Sequence, residues 1–361
     1  MTLRIGLLGA SRIAPLAILE PAKQISGIEV VAVAARDCER ARAFAATHGI
    51  AHAAASYDEL IARNDVDLIY NALPIPLHET WTIAALAAGK HVLLEKPSAP
   101  TAKAAQRMVE CAKAKGTRLI EAFHYRYHPL FERILALAGS ELGALKQAHA
   151  VIDVPVPQRP GEIRWDPAMS GGALMDLGCY PVHWLRTLGG ELTIVTADIT
   201  MAACGVDESA LVQFRLANGA DASLHCSMVP HDRGRLTTLT LTGQRGELFV
   251  RNPIAPQMGH ELRWRLHGER DWREETAAST TSYFHQLSAV AHALGHDLQR
   301  LAAVAEQAHA HQPVAERFRV SFQQSDDALF KWVRGPHAAS GNKKAAGFRP
   351  AAEPSSRASA L

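Results

Sequence analysis

Short apolar runs alternate with helix-forming stretches through the first 122 residues, and that rhythm admits few folds. Leu3–Leu8, Val30–Ala34, Leu68–Ala72, His91–Leu94 and Arg118–Glu121 each read as a short strand without a polar face. Between them, Asp37 and Gly49 bracket a helix, and Ser56 with Glu59 has capping-box spacing. Gly89 stops a helix from about Leu77, and Thr101 opens another that ends near Gly116. Pro15 suits a first helical turn, where its missing N–H costs nothing. Apolar strands alternating with helices imply a parallel, doubly wound sheet covered on both faces.

After Phe123 the rhythm changes. Beyond one helix, about Pro129 to Ala138, alternating strands dominate. Ala210–Leu216 and Ala220–Cys226 flank Asn218-Gly219, a strong hairpin signal. Leu239–Leu241, Leu248–Val250 and Leu262–Leu266 continue the alternation. The expected fold class is α/β: an N-terminal domain over 1–122 and a C-terminal α/β domain over 123–333 with an open, mostly antiparallel sheet. Helices around Gly178–Leu188 and Tyr283–Leu294 are expected to cover that sheet. From residue 334 the chain is rich in Ala, Gly, Pro, Ser and Lys, and disorder is expected to the end.

A length of 361 residues fits about two domains at ~150 residues each. Lys plus Arg (38) nearly balances Asp plus Glu (36), which argues against a nucleic-acid or membrane partner. No apolar run approaches the ~20 residues of a membrane span. Met1–Arg4 leads directly into a strand, so no signal peptide is expected. Five scattered cysteines without a CxxC pair point to free thiols and the cytoplasm, not to disulfides or zinc. The 18 histidines are dispersed without paired ligand spacing, so no metal is expected.

Gly6–Ala14 follows a strand and opens a helix, the setting a dinucleotide fingerprint requires. Read as G-x-G-x-x-A, the key positions are Gly9, Ser11 and Ala14. Gly9 permits the tight turn, and the helix N-terminus offers N–H groups to a pyrophosphate. Ser11 departs from the usual glycine but is small and carries a donor. The second strand ends Ala34-Ala35-Arg36-Asp37. An NAD site usually carries a carboxylate there; Arg36 instead suits the 2′-phosphate of NADP. Asp37 is the rival, able to serve ribose hydroxyls, but its position also makes it a helix cap. NADP is the expected cofactor, with NAD possible.

Lys96 follows the apolar run Val92–Leu94 within Glu95-Lys96-Pro97, at the carboxyl end of a strand where open parallel sheets bind ligands. Together with the Gly9 loop, Asn71–His78, Ala88–Pro97, Glu121–Pro129 and Gly171–Tyr180, this segment resembles the glucose–fructose oxidoreductase/inositol dehydrogenase (Gfo/Idh/MocA) family. The similarity runs from residue 3 to about 295. Tyr180, four residues after Asp176, is similar to the branch of dihydrodiol dehydrogenases and NADP-dependent xylose dehydrogenases. The family's usual closing helix pattern is absent from 295–325, a stretch that is helix-permissive.

The resemblance implies a Rossmann domain, a second domain whose sheet joins subunits into a homodimer or homotetramer, and hydride exchange with a sugar or cyclic vicinal diol. It implies cofactor contacts at Gly9, Ala10, Ser11, Arg12 and Ile13, at Arg36 and Asp37, at Leu73, Pro74 and His78, and at Glu95 and Lys96. Tyr180 is the first candidate for proton transfer, with the Lys96 ammonium expected to lower its pKa. Asp176 is expected to orient Lys96 or to bind a substrate hydroxyl. His183, three residues after Tyr180, shares its helical face and is the alternative base. Arg164, Trp165, Tyr125 and Arg126 are expected at the substrate. Two other functions fit the same sequence: a non-catalytic dinucleotide or sugar sensor, and a reductase of a non-sugar carbonyl.

Overall fold

A computed structural model of the chain describes residues 2–230 and 234–296. The expected end of the second domain, the helix-permissive stretch after 296 and the tail from 334 lie outside those residues. β1 (Leu3–Leu8), β2 (Ile28–Ala34), β3 (His52–Ala54), β4 (Leu68–Asn71), β5 (His91–Leu94) and β6 (Leu119–Glu121) form one parallel sheet. Their order is β3-β2-β1-β4-β5-β6. The order reverses between β1 and β4, and their carboxyl ends open a crevice there.

α1 (Glu20–Gln24) continues a π-helical turn over Pro15–Leu19. α2 (Cys38–His48) is capped by Asp37, which accepts from Glu39 N, and α3 (Tyr57–Ala62) by Ser56, which accepts from Glu59 N. α4 (Ile75–Ala87) and α5 (Ala102–Lys115) complete the layers. Gly6 explains how tightly β1 is covered. A Cβ there would stand 2.7 Å from Leu60 Cδ2, so a larger residue would have to push the end of that α3 side chain aside. The strand β3 escapes a sequence reading because His52-Ala53-Ala54 carries no β-forming residue.

In the second half, α6 (Pro129–Ser140) precedes β7 (Leu145–Asp153), and α7 (Cys179–Gly189) follows a π-helical turn at Leu174–Gly178. Then come β8 (Leu192–Met201), β9 (Asp207–Leu216), β10 (Asp221–Ser227), β11 (Leu236–Gly243), β12 (Gly246–Arg251), β13 (Glu261–Leu266) and β14 (Arg273–Glu275). With β7 they form a sheet in the order β14-β13-β12-β11-β7-β10-β9-β8. All described neighbours are antiparallel except β7 and β10. Asn218-Gly219 makes the expected hairpin turn between β9 and β10, with Gly219 at φ +86°. β7 was hard to anticipate because its core-facing residues include Ala148 and Ala150, which carry almost no strand signal.

The inner face of this sheet packs on Phe131, Ile134 and Leu137 of α6 and on Trp184 and Leu185 of α7. α8 (Ser282–Ala293) corrects one expectation: it does not cover this sheet. Its Phe284, Leu287, Val290 and Ala291 pack with Leu3, Ile18 and Leu19, against the parallel sheet. Each large side chain buried this way contributes roughly 1.5–3 kcal/mol. The chain therefore returns to its first half after building the second, and residues from both halves meet at the crevice.

Candidate active site

Lys96 leaves the carboxyl end of β5 and reaches across to the second half. Its Nζ donates to Asp176 Oδ1 at 3.0 Å and to the Asp176 carbonyl at 2.9 Å. The same Nζ lies 4.7 Å from the ring centroid of Tyr180, over its face. Asp176 sits in the π-helical turn and Tyr180 at the start of α7, so one helical face carries both. Arg164 Nη1 approaches the other oxygen, Asp176 Oδ2, at 3.7 Å, and its Nε donates to Glu162 Oε1 at 2.8 Å.

Burial works against the charge on Lys96, but Asp176 outweighs it, with Tyr180 and Cys179 adding to the effect, and holds the ammonium well above its ordinary range. Tyr180 departs from expectation. Burial raises its pKa above the ordinary phenol value, and the nearby Lys96 offsets only part of that rise. An ammonium over the ring face also cannot hydrogen-bond the hydroxyl from that position. Cys179 donates to the Asp176 carbonyl, and burial pushes its thiol up to about 12, which removes it as a nucleophile.

Behind Lys96, Glu95 accepts from the Tyr70 hydroxyl at 2.7 Å and from the Lys96 backbone N–H at 3.2 Å. Burial raises the Glu95 pKa, while Tyr70 and Lys96 pull it back. A cavity of about 850 Å³ opens over this floor, lined by Glu95, Lys96, Arg164, Asp176, Tyr180 and Tyr283, among others.

His183 is corrected as a candidate base. It is buried away from that cavity and shares a 2.7 Å hydrogen bond with the Tyr125 hydroxyl. Burial, helped by Arg126 and Arg186, lowers its pKa to about 3. Tyr125 is likewise fully buried, and Trp165 donates its indole N–H to the Val156 carbonyl at 3.1 Å. Neither these two nor Arg126 lines the cavity, so of the five expected substrate residues Arg164 and Asp176 reach it.

The cavity continues into a groove of about 940 Å³ along the carboxyl ends of β1 and β2. Arg12, Ala72, Leu73 and Pro74 line both. The groove passes Gly9, Ala10, Ser11 and Arg12, then Ala35, Arg36, Arg40 and Tyr57. Ile13 and His78 line the cavity instead. Gly9 has φ +100°, and a Cβ there would stand 3.3 Å from both the Ala72 carbonyl oxygen and Leu73 Cδ2. Ser11 Oγ accepts from Ala14 N at 3.3 Å, which leaves its O–H able to donate outward. His78 is more brace than ligand. Its Nε2 lies 2.7 Å from the Leu73 carbonyl, and its Nδ1 lies 3.2 Å from those of Pro97 and Ser98. Burial lowers its pKa to about 4.

These residues fit a dinucleotide phosphorylated at the ribose. The glycine turn and helix N-terminus suit a pyrophosphate, and Arg36 with Arg40 offers two guanidinium groups at the end of β2. Asp37 is not in the lining; its carboxylate caps α2. Arg40 and Tyr57 were missed from the sequence. Arg40 follows Arg36 by four residues and lies in the first turn of α2; Tyr57 is brought in by the packing of α3.

Residues 3–123 match the family described as "Oxidoreductase family, NAD-binding Rossmann fold", and residues 136–249 match the Gfo/Idh/MocA C-terminal domain. The chain is 34% identical over 293 residues to a D-xylose 1-dehydrogenase (NADP(+)) of Haloferax volcanii, covering 80% of this chain and 88% of that protein. It is 36% identical to a dTDP-3,4-didehydro-2,6-dideoxy-alpha-D-glucose 3-reductase of Saccharopolyspora spinosa, covering 70% and 76%. A 3-ketoreductase from Actinomadura kijaniata shares the fold at TM-score 0.75 and 24% identity, over 92% of this chain and 97% of that one. With an N-terminal nucleotide-binding half, a matching C-terminal half and relatives of this identity over most of its length, the chain belongs to the Gfo/Idh/MocA family of oxidoreductases.

Proposed function

We propose that the chain is an NADP-preferring dehydrogenase or reductase that exchanges hydride with a sugar or cyclic vicinal diol. The observation that carries this reading is the Lys96–Asp176–Tyr180 constellation, set where the cofactor groove opens into the cavity. Similarity to an NADP-linked xylose dehydrogenase supports it. So does a 37% match to a trans-1,2-dihydrobenzene-1,2-diol dehydrogenase of Xenopus tropicalis, over half of this chain.

A dinucleotide held along the groove by the Gly9 turn and Arg36 would supply, through its nicotinamide, the hydride acceptor or donor for a substrate in the cavity. Tyr180 handles the proton. Its raised pKa keeps the phenol protonated at neutral pH, ready to donate to a carbonyl oxygen. In oxidation the phenolate is required, and the Lys96 ammonium over the ring stabilises that charge. Asp176 fixes Lys96 in place, and Arg164 stands close enough to Asp176 to steady it.

The division into a cofactor half over 1–122 and a substrate half thereafter belongs to this proposal. So does assembly as a homodimer or homotetramer through the outer face of the second sheet, where Val195, Met201 and Leu211 are exposed. Residence in the cytoplasm is proposed from the five free cysteines. Among the described residues no helix is long and apolar enough to cross a membrane.

The test is NADPH formation, followed by absorbance, on a panel of aldoses and cyclic diols with NADP and NAD compared. An NADP-linked rate on one class supports the reading. Silence across the panel while NADP still binds favours a sensor or a reductase of another carbonyl.

A further inference from the structure

Glu162 lies on the segment between β7 and the π-helical turn, and its side chain is 1% exposed. Three arginines converge on it. Arg164 donates from Nε at 2.8 Å, Arg159 Nη2 stands at 3.5 Å, and Arg12 Nη2 at 3.9 Å comes from the glycine loop of the other half. Arg12 and Arg159 are 78% and 54% exposed and line the cofactor groove. Arg164 is more enclosed and continues to Asp176, which holds Lys96. A line of alternating charge thus runs from the pyrophosphate loop to the lysine: Arg12, Glu162, Arg164, Asp176, Lys96.

Resting on the functional reading above, we infer that Glu162 is a positioning residue with two opposed effects. It restrains cofactor binding and sets the placement of Lys96. Arg164 is shared with Asp176, while Arg12 and Arg159 share the one carboxylate of Glu162, so positive charge remains toward the groove. An anionic pyrophosphate arriving there competes with Glu162 for Arg12 and Arg159, both exposed enough to turn toward it. Arg164 is the arginine that stays with Glu162, and through Asp176 it aligns the Lys96 ammonium on the Tyr180 ring. Arg164 holds the Glu162 carboxyl below its usual range, which keeps this anion charged under all ordinary conditions.

The two effects separate in substitution. Glu162→Gln keeps the size but removes the charge, and it exchanges the charge-assisted bond to Arg164 Nε for a weaker neutral one that holds the guanidinium less firmly. NADPH affinity, measured by fluorescence titration, is expected to tighten roughly fivefold, the low end of coupling between sites. At saturating cofactor, kcat is expected to fall about 10- to 100-fold, the scale of a small misplacement at the reacting groups. Glu162→Asp keeps the charge but shortens the reach, so affinity stays at the wild-type level while kcat still falls. A collapsed segment would weaken binding and turnover together. Tighter binding with slower turnover in Glu162→Gln supports the inference, and any other pairing of the two changes overturns it. A wild-type protein without NADP-linked turnover sinks the functional reading, while the affinity comparison stands or falls by itself.

Discussion

The Lys96 ammonium lies 3.0 Å from Asp176 Oδ1 and 2.9 Å from the Asp176 carbonyl, although the two residues are 80 positions apart. One belongs to the parallel sheet and the other to the turn before α7. The contact therefore joins the two halves at the point where the cofactor groove meets the substrate cavity. It also decides where the ammonium points. Tied twice to Asp176, it stays over the Tyr180 ring 4.7 Å away.

The pH dependence of the rate follows from these placements. Lys96 and Tyr180 are both held above their ordinary ranges, so both are protonated at neutral pH. Reduction, which needs the protonated phenol, is expected to be level from about pH 6 to 9. Oxidation, which needs the phenolate, is expected to climb with pH through the alkaline range. A histidine base gives an inflection near ~6.5, and His183, lowered to about 3, contributes none. Profiles of kcat/KM in both directions check this, and a step near neutrality would speak for a histidine.

Cofactor choice is expected to depend on Arg36 and Arg40 together. Charge-assisted hydrogen bonds contribute about 1.5–3 kcal/mol each, so Arg36→Ala and Arg40→Ala should each lower kcat/KM for NADP by about 10- to 100-fold. Rates with NAD should change little. The measurement is the ratio of the two efficiencies. An unchanged ratio in both variants would remove the guanidinium pair from the account.

Stability is expected to fall on the acid side earlier than carboxylates alone require. His78, at about 4, and His124 and His183, at about 3, are buried and neutral in the folded chain. Their unfolded value is about 6.5. Below that value the unfolded state binds more protons than the native state, so stability is full above it and declines as pH falls. Each such histidine removes about 1.4 kcal/mol per pH unit between its two values. Depressed carboxylates such as Glu162 act in the same direction but in a lower window. Calorimetry should show a Tm that is level above pH ~7 and lower at pH ~5; a Tm constant across that range contradicts the burial of these rings.

Much of the first half was legible because the apolar runs of β1, β4 and β5 and the caps at Asp37, Ser56 and Thr101 are local signals. Lys96, Asp176 and Tyr180 were legible through the family resemblance. What stayed hidden depends on who packs against whom. The apolar residues of α8 suit either sheet, and only the return of the chain puts Phe284 beside Leu3 and Ile18. His183 has the spacing of a base, yet its ring is spent on Tyr125 beneath the cavity. Glu162 reads as an ordinary loop carboxylate until the fold brings Arg12 to it from the far end of the chain.

The most direct measurement is turnover of Tyr180→Phe, Lys96→Ala and His183→Gln on the best substrate of the panel, with NADP binding measured in parallel. The account predicts that the first two lose at least ~100-fold in kcat, the lower range for proton-transfer groups. It predicts that Tyr180→Phe still binds NADP and that His183→Gln, where it folds, keeps most of its rate. Near-full activity in Tyr180→Phe, with the loss confined to His183→Gln, would contradict the account.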